Sequence, residues 1–416
     1  MLKGEVRAPP SKSYTHRALA ISSLAKGVSR IFNPLFSEDT LATLEVCKAL
    51  GVKVKTYENH IEIEGRVPYS TPSNIIDVKN SGTTIRFFTA LSSLAEKGYT
   101  VLTGDDSIRQ RPMQPLLDAL NQFGVKCFST RLNGYPPIIV AGDSLIGGEA
   151  SILGNVSSQY ISSLLISLTK AKRDSRLKIL RGKVSEPYIE ATKVMLSKFN
   201  GIYYEKENEY YIPSKQELIA KEFHVPSDFS SASFMLAAGA LAGDVKVIGL
   251  DFNLPQADMK ILEILKDLGA GLEIGESWVR SYYNGKLKGG TFDLKDSPDL
   301  LPIVSILALN CEDKITIKGV KHARYKESDR ISSLSSELKK LGADVIEYED
   351  GLSIIPSKLK SCKLDAKKDH RLFMAFSLIG LLIDEGIEIE GKELIKVSYP
   401  NFIQDMINLG AKVELD

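Results

Sequence analysis

The sequence predicts a mixed α/β protein assembled from six variants of one unit, each made of two helices plus several strands. Three observations predict it. A phrase recurs in which a helical stretch ends at glycine and a strand follows: CKALGVKV, LNQFGVKC, LSKFNGIYY, LKDLGAGLEI, LKKLGADV and MINLGAKV. Its glycines are Gly51, Gly124, Gly201, Gly269, Gly342 and Gly410, about 70 residues apart, the scale of one supersecondary unit. More uniformly apolar helices lie between these phrases, and short alternating segments follow them.

Each element has a physical reason. Glycine ends the helix of the phrase because it takes the left-handed conformation without a Cβ clash. The helices before it are amphipathic: Ile261, Leu265 and Leu268 share one face, as do Leu334, Leu338 and Leu341. HIEIEG and LSIIP alternate as half-buried strands do. The second helix class reads RALAISSLA, IRFFTALSSLA, YISSLLISLT, ASFMLAAGALA, LLPIVSILAL and LFMAFSLIGLL, and a helix apolar on most sides is a buried one. Strands follow these too, in VKVIGL, ITIKGV and IEIEG. Six such units fit one continuous ring or two domains of three; the periodicity allows both, and the second has the commoner domain size.

Size and charge bound the function. A chain of 416 residues, 43% hydrophobic and 25% charged, can bury a large core without staples. The net charge of +1 argues against a nucleic-acid clamp, which carries a basic excess. Cys47, Cys127, Cys311 and Cys362 form no C-x-x-C pair, and the five histidines form no metal-binding pattern, so no metal site is expected. No signal-like apolar segment opens the chain and no run is long enough to span a membrane. Reduced thiols and a cytoplasmic location are the expectation.

The buried helices open with SKSYTHR, NSGTTIR, VSSQY, SDFSSAS, DSPDL and KKDHR. Small polar residues cap helix starts. Several starts carry cations that capping does not need: Lys12 and Arg17 at the first, Arg86 one turn after Gly82 at the second, Arg371 at the last. Ser13 and Arg17 lie on one helical face. Helix N-termini attract anions, and glycine admits a ligand close to the backbone. These starts read either as simple caps with solvated charges or, if they converge, as an anion-binding cleft.

SKSYTHRAL, NSGTTIRFF, RQRPMQPLLDAL, SSQYISSLL, SEPYIEAT, SPDLLP, RYKESDRI and KDHRLFMAFSL together resemble, in order, the motif series of the 3-phosphoshikimate 1-carboxyvinyltransferase (EPSP synthase) family. The resemblance implies a two-domain inverse α/β barrel-like fold, each domain of three βαβαββ-type repeats around buried helices. One domain would be about 12–225; the other would combine 1–11 with 226–416, so that the chain crosses twice, with substrates bound between the two and closure on binding. The implied reaction moves the enolpyruvyl group of phosphoenolpyruvate to the 5-hydroxyl of shikimate 3-phosphate by addition and elimination, without a metal or organic cofactor. A monomer is the default, with small molecules as the only partners.

Carried over by matching motifs, Lys12, Gly82, Arg111, Gln159, Arg330 and Arg371 bind phosphoenolpyruvate. Ser13, Arg17, Ser157, Ser158, Gln159, Ser185, Tyr188, Asp299 and Lys326 bind shikimate 3-phosphate. Asp299, Glu327 and Lys12 are the implied proton-transfer groups. Arg forks onto phosphate or carboxylate and Lys gives a compact charge; the chemistry needs an acid and a base. His370, in the DHR motif, would orient Arg371 or Glu327, and Asp369 would cap that helix. Two positions depart from the family's pattern. His322 stands where many relatives carry Asn, which would introduce pH dependence near neutrality. Lys396 lies one residue before the position where relatives carry a ligand-binding lysine, held here by Val397. The sister enolpyruvyl transferase acting on UDP-N-acetylglucosamine usually has a cysteine in the loop matching SIRQRPM; this loop has none. A non-catalytic repeat scaffold would explain the repeats but neither the cations on buried helices nor the paired carboxylates.

Overall fold

The computed structural model describes residues 1–415. The chain divides into two compact units, Pro10–Val225 and Met1–Pro9 with Pro226–Asp416. It passes from one to the other at two proline-flanked points.

In the unit Pro10–Val225, three buried helices alternate with three amphipathic ones: α1 (Lys12–Ser22), α2 (Glu38–Ala49), α3 (Gly82–Leu91), α4 (Gln114–Gln122), α5 (Ser158–Leu168) and α6 (Glu186–Lys198). Every residue of α3 is buried, whereas α4 buries only Leu116, Leu117, Ala119 and Leu120. The other unit repeats the alternation with α7 (Phe229–Ala242), α8 (Ile261–Asp267), α9 (Leu301–Leu307), α10 (Arg330–Lys340), α11 (His370–Ile379) and α12 (Phe402–Asn408).

Five four-stranded sheets share one plan: a parallel pair, then two antiparallel strands. Ile76–Asp77 pairs parallel with Tyr99–Thr103, which pairs antiparallel with Ile138–Ala141, which in turn holds Cys127–Ser129. The parallel pair brackets a buried helix, and an amphipathic helix precedes the hairpin. This is a β-α-β-α-β-β order, as expected where parallel strands need a helical crossover and antiparallel ones only a turn. The lead strand of the first repeat in each unit comes from elsewhere in the chain. Leu2–Arg7 pairs with Gly243–Ile248, and Glu222–His224 returns to pair with Val28–Phe32. That exchange is why the chain must cross between units twice.

Two expectations from the repeat need correction. In the third phrase Asn200, not Gly201, takes the left-handed conformation, with φ 64°; asparagine tolerates that region better than other side-chain-bearing residues. Among the described residues after Gly410 no strand forms. The sheet of the sixth repeat is the parallel pair Lys363–Asp365 and Glu388–Glu390, with no antiparallel strand among the described residues.

Several hydroxyls on the buried helices turn back onto the preceding turn. Ser163 donates to Tyr160 O at 2.8 Å, Ser233 to Ser230 O at 2.6 Å and Ser305 to Leu301 O at 2.8 Å. Close packing fixes one residue outright: a Cβ on Gly239 of α7 would stand 2.2 Å from the Ser281 carbonyl of the adjacent strand. The four cysteines are free thiols. Burial pushes Cys47, Cys127 and Cys311 up to about 12, so these three are packing residues rather than nucleophiles.

Candidate active site

In the unit Pro10–Val225 the starts of the buried helices are capped by hydroxyls. Ser11, Ser81 and Ser157 accept the backbone N–H groups of Tyr14, Thr84 and Gln159. Ser157 is thus the cap of α5 and Ser158 its first residue, as the capping pattern predicts. Around these starts lie Lys12, Arg17, Arg86 and Arg111. Lys12 Nζ sits 3.0 Å from Asp39 Oδ2 at the start of α2. Arg17, 2% exposed, donates to the Ser13 carbonyl at 2.9 Å, the Tyr188 carbonyl at 2.8 Å and Thr192 Oγ1 at 2.8 Å. Its guanidinium also lies 5.6 Å from the Phe87 ring centre. Burial lowers its pKa to about 10, which leaves it charged at any physiological pH.

Gln159 is fixed from both ends. Arg86 donates to its Oε1 at 2.6 Å, and its Nε2 donates to Thr83 Oγ1 at 2.9 Å. Arg111 donates to Asn80 Oδ1 and to Ser107 Oγ, both at 3.1 Å. Gly82 is the contact between these groups: a Cβ there would lie 2.4 Å from Arg111 Nη1 and 3.4 Å from Arg86 Nη1. Ser185 holds φ 53° at the start of α6, and its carbonyl accepts Tyr188 N at 3.1 Å. The structure therefore brings Lys12, Ser13, Arg17, Gly82, Arg111, Gln159, Ser185 and Tyr188 onto one network of adjoining helix starts. The four cations are accompanied by the carboxylate of Asp39. The hydroxyl-capped helix N-termini add to the positive potential of these cations, a combination that suits an anion.

The other unit has the opposite balance. Its starts are carboxylates: Asp228 caps α7 and Asp369 caps α11, while Asp299 occupies a 3₁₀ turn, Pro298–Leu300, ahead of α9. Asp299 stands among three cations, 2.6 Å from Arg330 Nη1, 3.1 Å from Arg371 Nη2 and 3.5 Å from Lys326 Nζ. Arg330 is the hub. With no exposed surface, it also donates to Asp369 Oδ2 at 2.8 Å and to Glu327 Oε2 at 2.8 Å. Burial alone would lower its pKa, but Asp369, Glu327 and Asp299 outweigh that and raise it. The Glu327–Arg330 pair, three residues apart in sequence, belongs to this larger network rather than standing alone. Arg371 is ordered from its own backbone, whose N–H donates to Asp369 Oδ1 at 2.9 Å.

His322 is buried in the turn Lys321–Tyr325. Burial, then the Lys326 charge, pushes its pKa down to about 4. It is a neutral imidazole at neutral pH, which corrects the expectation that it would titrate there. Lys396 is exposed in the turn Lys392–Val397, and no ion pair or hydrogen bond joins it to the Asp299 cluster among the described residues.

Sequence reasoning missed Asp39, Asn80, Thr83, Ser107 and Asp258, and left Arg86 out of the site. The available signal for Asp39 was an acid inside the first turn of a helix opening SEDT. For Arg86 it was a cation one turn after Gly82 on a helix otherwise apolar all round.

The fold is one that solved enolpyruvyl transferases share. The crystal structure of an enolpyruvyl transferase from Streptomyces tendae matches it with a TM-score of 0.78 at 16% identity, over 99% of this chain and 96% of that one. An EPSP synthase structure from Acinetobacter baumannii matches with a TM-score of 0.82 at 27% identity, over 99% and 97%. The sequence model of EPSP synthase (3-phosphoshikimate 1-carboxyvinyltransferase) covers residues 1–406. Curated 3-phosphoshikimate 1-carboxyvinyltransferases are 43% identical in Methanocaldococcus jannaschii, over 100% of this chain and 97% of the relative, and 43% identical in Korarchaeum cryptofilum, over 99% and 97%. The chain belongs to the EPSP synthase family.

Proposed function

We propose that this protein joins phosphoenolpyruvate to shikimate 3-phosphate, releasing 5-enolpyruvylshikimate 3-phosphate and inorganic phosphate. The observation that carries the reading is Asp299, a carboxylate held among Arg330, Arg371 and Lys326 at 2.6, 3.1 and 3.5 Å. A carboxylate in that position offers a proton acceptor beside cations that suit anionic substrates.

The substrates together bring two phosphates and two carboxylates, and their repulsion must be met by oriented cations and donors. Lys12, Arg17 and Arg111, with Gln159 and the serines of the helix starts, suit that task. Arg17 and Tyr188 with Ser13, Ser157, Ser158, Ser185 and Lys326 take shikimate 3-phosphate. Lys12, Gly82, Arg111, Gln159, Arg330 and Arg371 take phosphoenolpyruvate. In the addition step Asp299 removes the proton of the 5-hydroxyl as its oxygen attacks C2 of phosphoenolpyruvate. Glu327, with Lys12, delivers a proton to the C3 methylene carbon. In the elimination step Glu327, with Lys12, takes a proton back from C3, the double bond reforms and the C2–O bond to phosphate breaks. The residues require no metal for this, and the protein acts as a monomer on small molecules in the cytoplasm.

Phosphate release tests the reading. With phosphoenolpyruvate and shikimate 3-phosphate, stoichiometric release is expected; with UDP-N-acetylglucosamine as acceptor, none. Release only with the nucleotide sugar would overturn the acceptor assignment.

A further inference from the structure

One buried carboxyl group beside Asp299 and Arg371 has no part in the chemistry above. Asp258 lies in the 3₁₀ turn Ala257–Lys260 and is 1% exposed. Its Oδ2 accepts the hydroxyl of Ser230, and its Oδ1 has no hydrogen-bond partner among the described residues. Its neighbours differ: Asp299 has Arg330 and Arg371, and Asp369 has Arg330.

The charges that act on Asp258 come from three elements: Asp228 at the start of α7, Asp299 in the turn before α9 and Arg371 at the start of α11; the Asp258 turn is tied to the Asp299 turn by Ser297 Oγ, which donates to the Ala257 carbonyl at 2.8 Å. On the α8 side the nearest charged pair, Lys260 and Glu263, lies outward, with side chains 36% and 75% exposed. Burial, then the charge of Asp299, pushes the Asp258 carboxyl up to about 7, against the smaller pull of Arg371 and the Ser230 bond.

Arg371 is therefore the cation whose field favours the ionised form of Asp258. An anionic ligand on Arg371 offsets that field. Binding of the anion and binding of a proton then favour each other, by linkage. A neutral Asp258 also spares Asp299 a like-charged neighbour and so favours its ionised, basic form.

We propose that Asp258 is a positioning residue that acts through Arg371 and Asp299, carrying a proton when Arg371 is committed to phosphoenolpyruvate and giving it up when no phosphoenolpyruvate is bound there. The inference rests on the assignment of Arg371 to phosphoenolpyruvate.

The test is kcat/KM for phosphoenolpyruvate at saturating shikimate 3-phosphate, followed from pH 6 to 9 in wild type and Asp258→Asn. Asn keeps the shape and the bond from Ser230 but stays neutral. Wild type should lose roughly tenfold between pH 7 and pH 8.5, while the variant stays nearly level. Ionisation of the substrate phosphate, with a pKa of about 6, affects both alike. Parallel profiles, including a uniform drop in the variant at every pH, overturn the inference. If Asp258→Asn does not fold, Ser230→Ala takes its place. Losing a donor to the carboxylate should move the alkaline fall to higher pH, and an unmoved fall overturns the inference. Arg371→Lys separates the two claims: an unchanged KM for phosphoenolpyruvate would overturn the Arg371 assignment itself.

Discussion

Arg330 Nη1 lies 2.6 Å from Asp299 Oδ1, with the guanidinium wholly buried and the carboxylate side chain 14% exposed. The arginine anchors one oxygen, and Arg371 meets the other at 3.1 Å. Such a carboxylate is oriented for proton abstraction without being sealed from a substrate. Asp299→Ala should lower kcat by about 10²–10⁴-fold, the usual worth of a positioned base, with a much smaller change in KM. Steady-state kinetics of phosphate release check this. Equal losses in kcat and in substrate affinity would mean that Asp299 binds rather than reacts.

Arg330 itself is structural before it is anything else. Its bonds to Asp369, Glu327 and Asp299 offset the cost of burying a cation. Arg330→Met leaves the wholly buried Asp369 without its ion-pair partner. The expected loss is about 3–5 kcal/mol, visible as a lower unfolding midpoint and less soluble protein. A variant that folds as wild type but binds phosphoenolpyruvate weakly would shift the balance toward a direct ligand role.

Gly82 occupies the first position of α3, where a methyl group would meet Arg111 Nη1 at 2.4 Å. The neighbour is the end of a flexible side chain, so the fold can yield and the arginine must move. Alanine also favours the helix by up to about 1 kcal/mol over glycine. Gly82→Ala should leave the unfolding midpoint level or slightly raised, and raise KM for phosphoenolpyruvate roughly tenfold, about 1.4 kcal/mol of lost contact. An unchanged KM would show that the displaced Arg111 is not a ligand.

The repeat was legible because its causes are local. Glycine punctuation at Gly51, Gly124, Gly269, Gly342 and Gly410 and the two kinds of helix face both follow from nearest-neighbour physics. Asn200 escaped because the left-handed position accepts either residue, and the phrase supplied a glycine beside it. The cations at helix starts were legible for the same reason: they interrupt an apolar pattern. Asp39 and Asp258 were not. Each looks like an ordinary surface acid near the start of a helix, and each is buried and meets a partner distant in sequence, Lys12 for one and Ser230 for the other. His322 shows the same limit in its chemistry: its identity suggested a titrating group, and only its burial makes it neutral.

Lys12 and Asp39 separate folding from function. Their side chains are 14% and 5% exposed and lie 3.0 Å apart. Lys12→Ala strands a nearly buried carboxylate, and about 1–3 kcal/mol of stability should go with it. Adding Asp39→Ala removes the stranded charge, so the double variant should recover most of that stability. It should not recover turnover, because the cation proposed for proton transfer and phosphate binding is still missing. Unfolding midpoints and kcat on the three variants check both halves. Activity that returned with stability would make Lys12 a structural residue.

His322 makes the pH prediction. Its folded pKa of about 4 lies below the ordinary histidine value of 6.5. Between those two values the unfolded chain binds more protons than the folded one, so this histidine's contribution to stability shrinks as pH falls through that window. At pH 4 the loss is on the order of 3 kcal/mol. Asp258 acts in the opposite sense, because its raised pKa favours the folded state at acid pH, so the absolute curve mixes the two. The difference between wild type and His322→Asn isolates the histidine. The variant should gain on wild type steadily from pH 6.5 down to pH 4, and the two should give superimposable turnover profiles between pH 7 and pH 8. A turnover profile that changed shape near neutrality in His322→Asn would mean that substrate binding, not burial, sets the protonation of this imidazole.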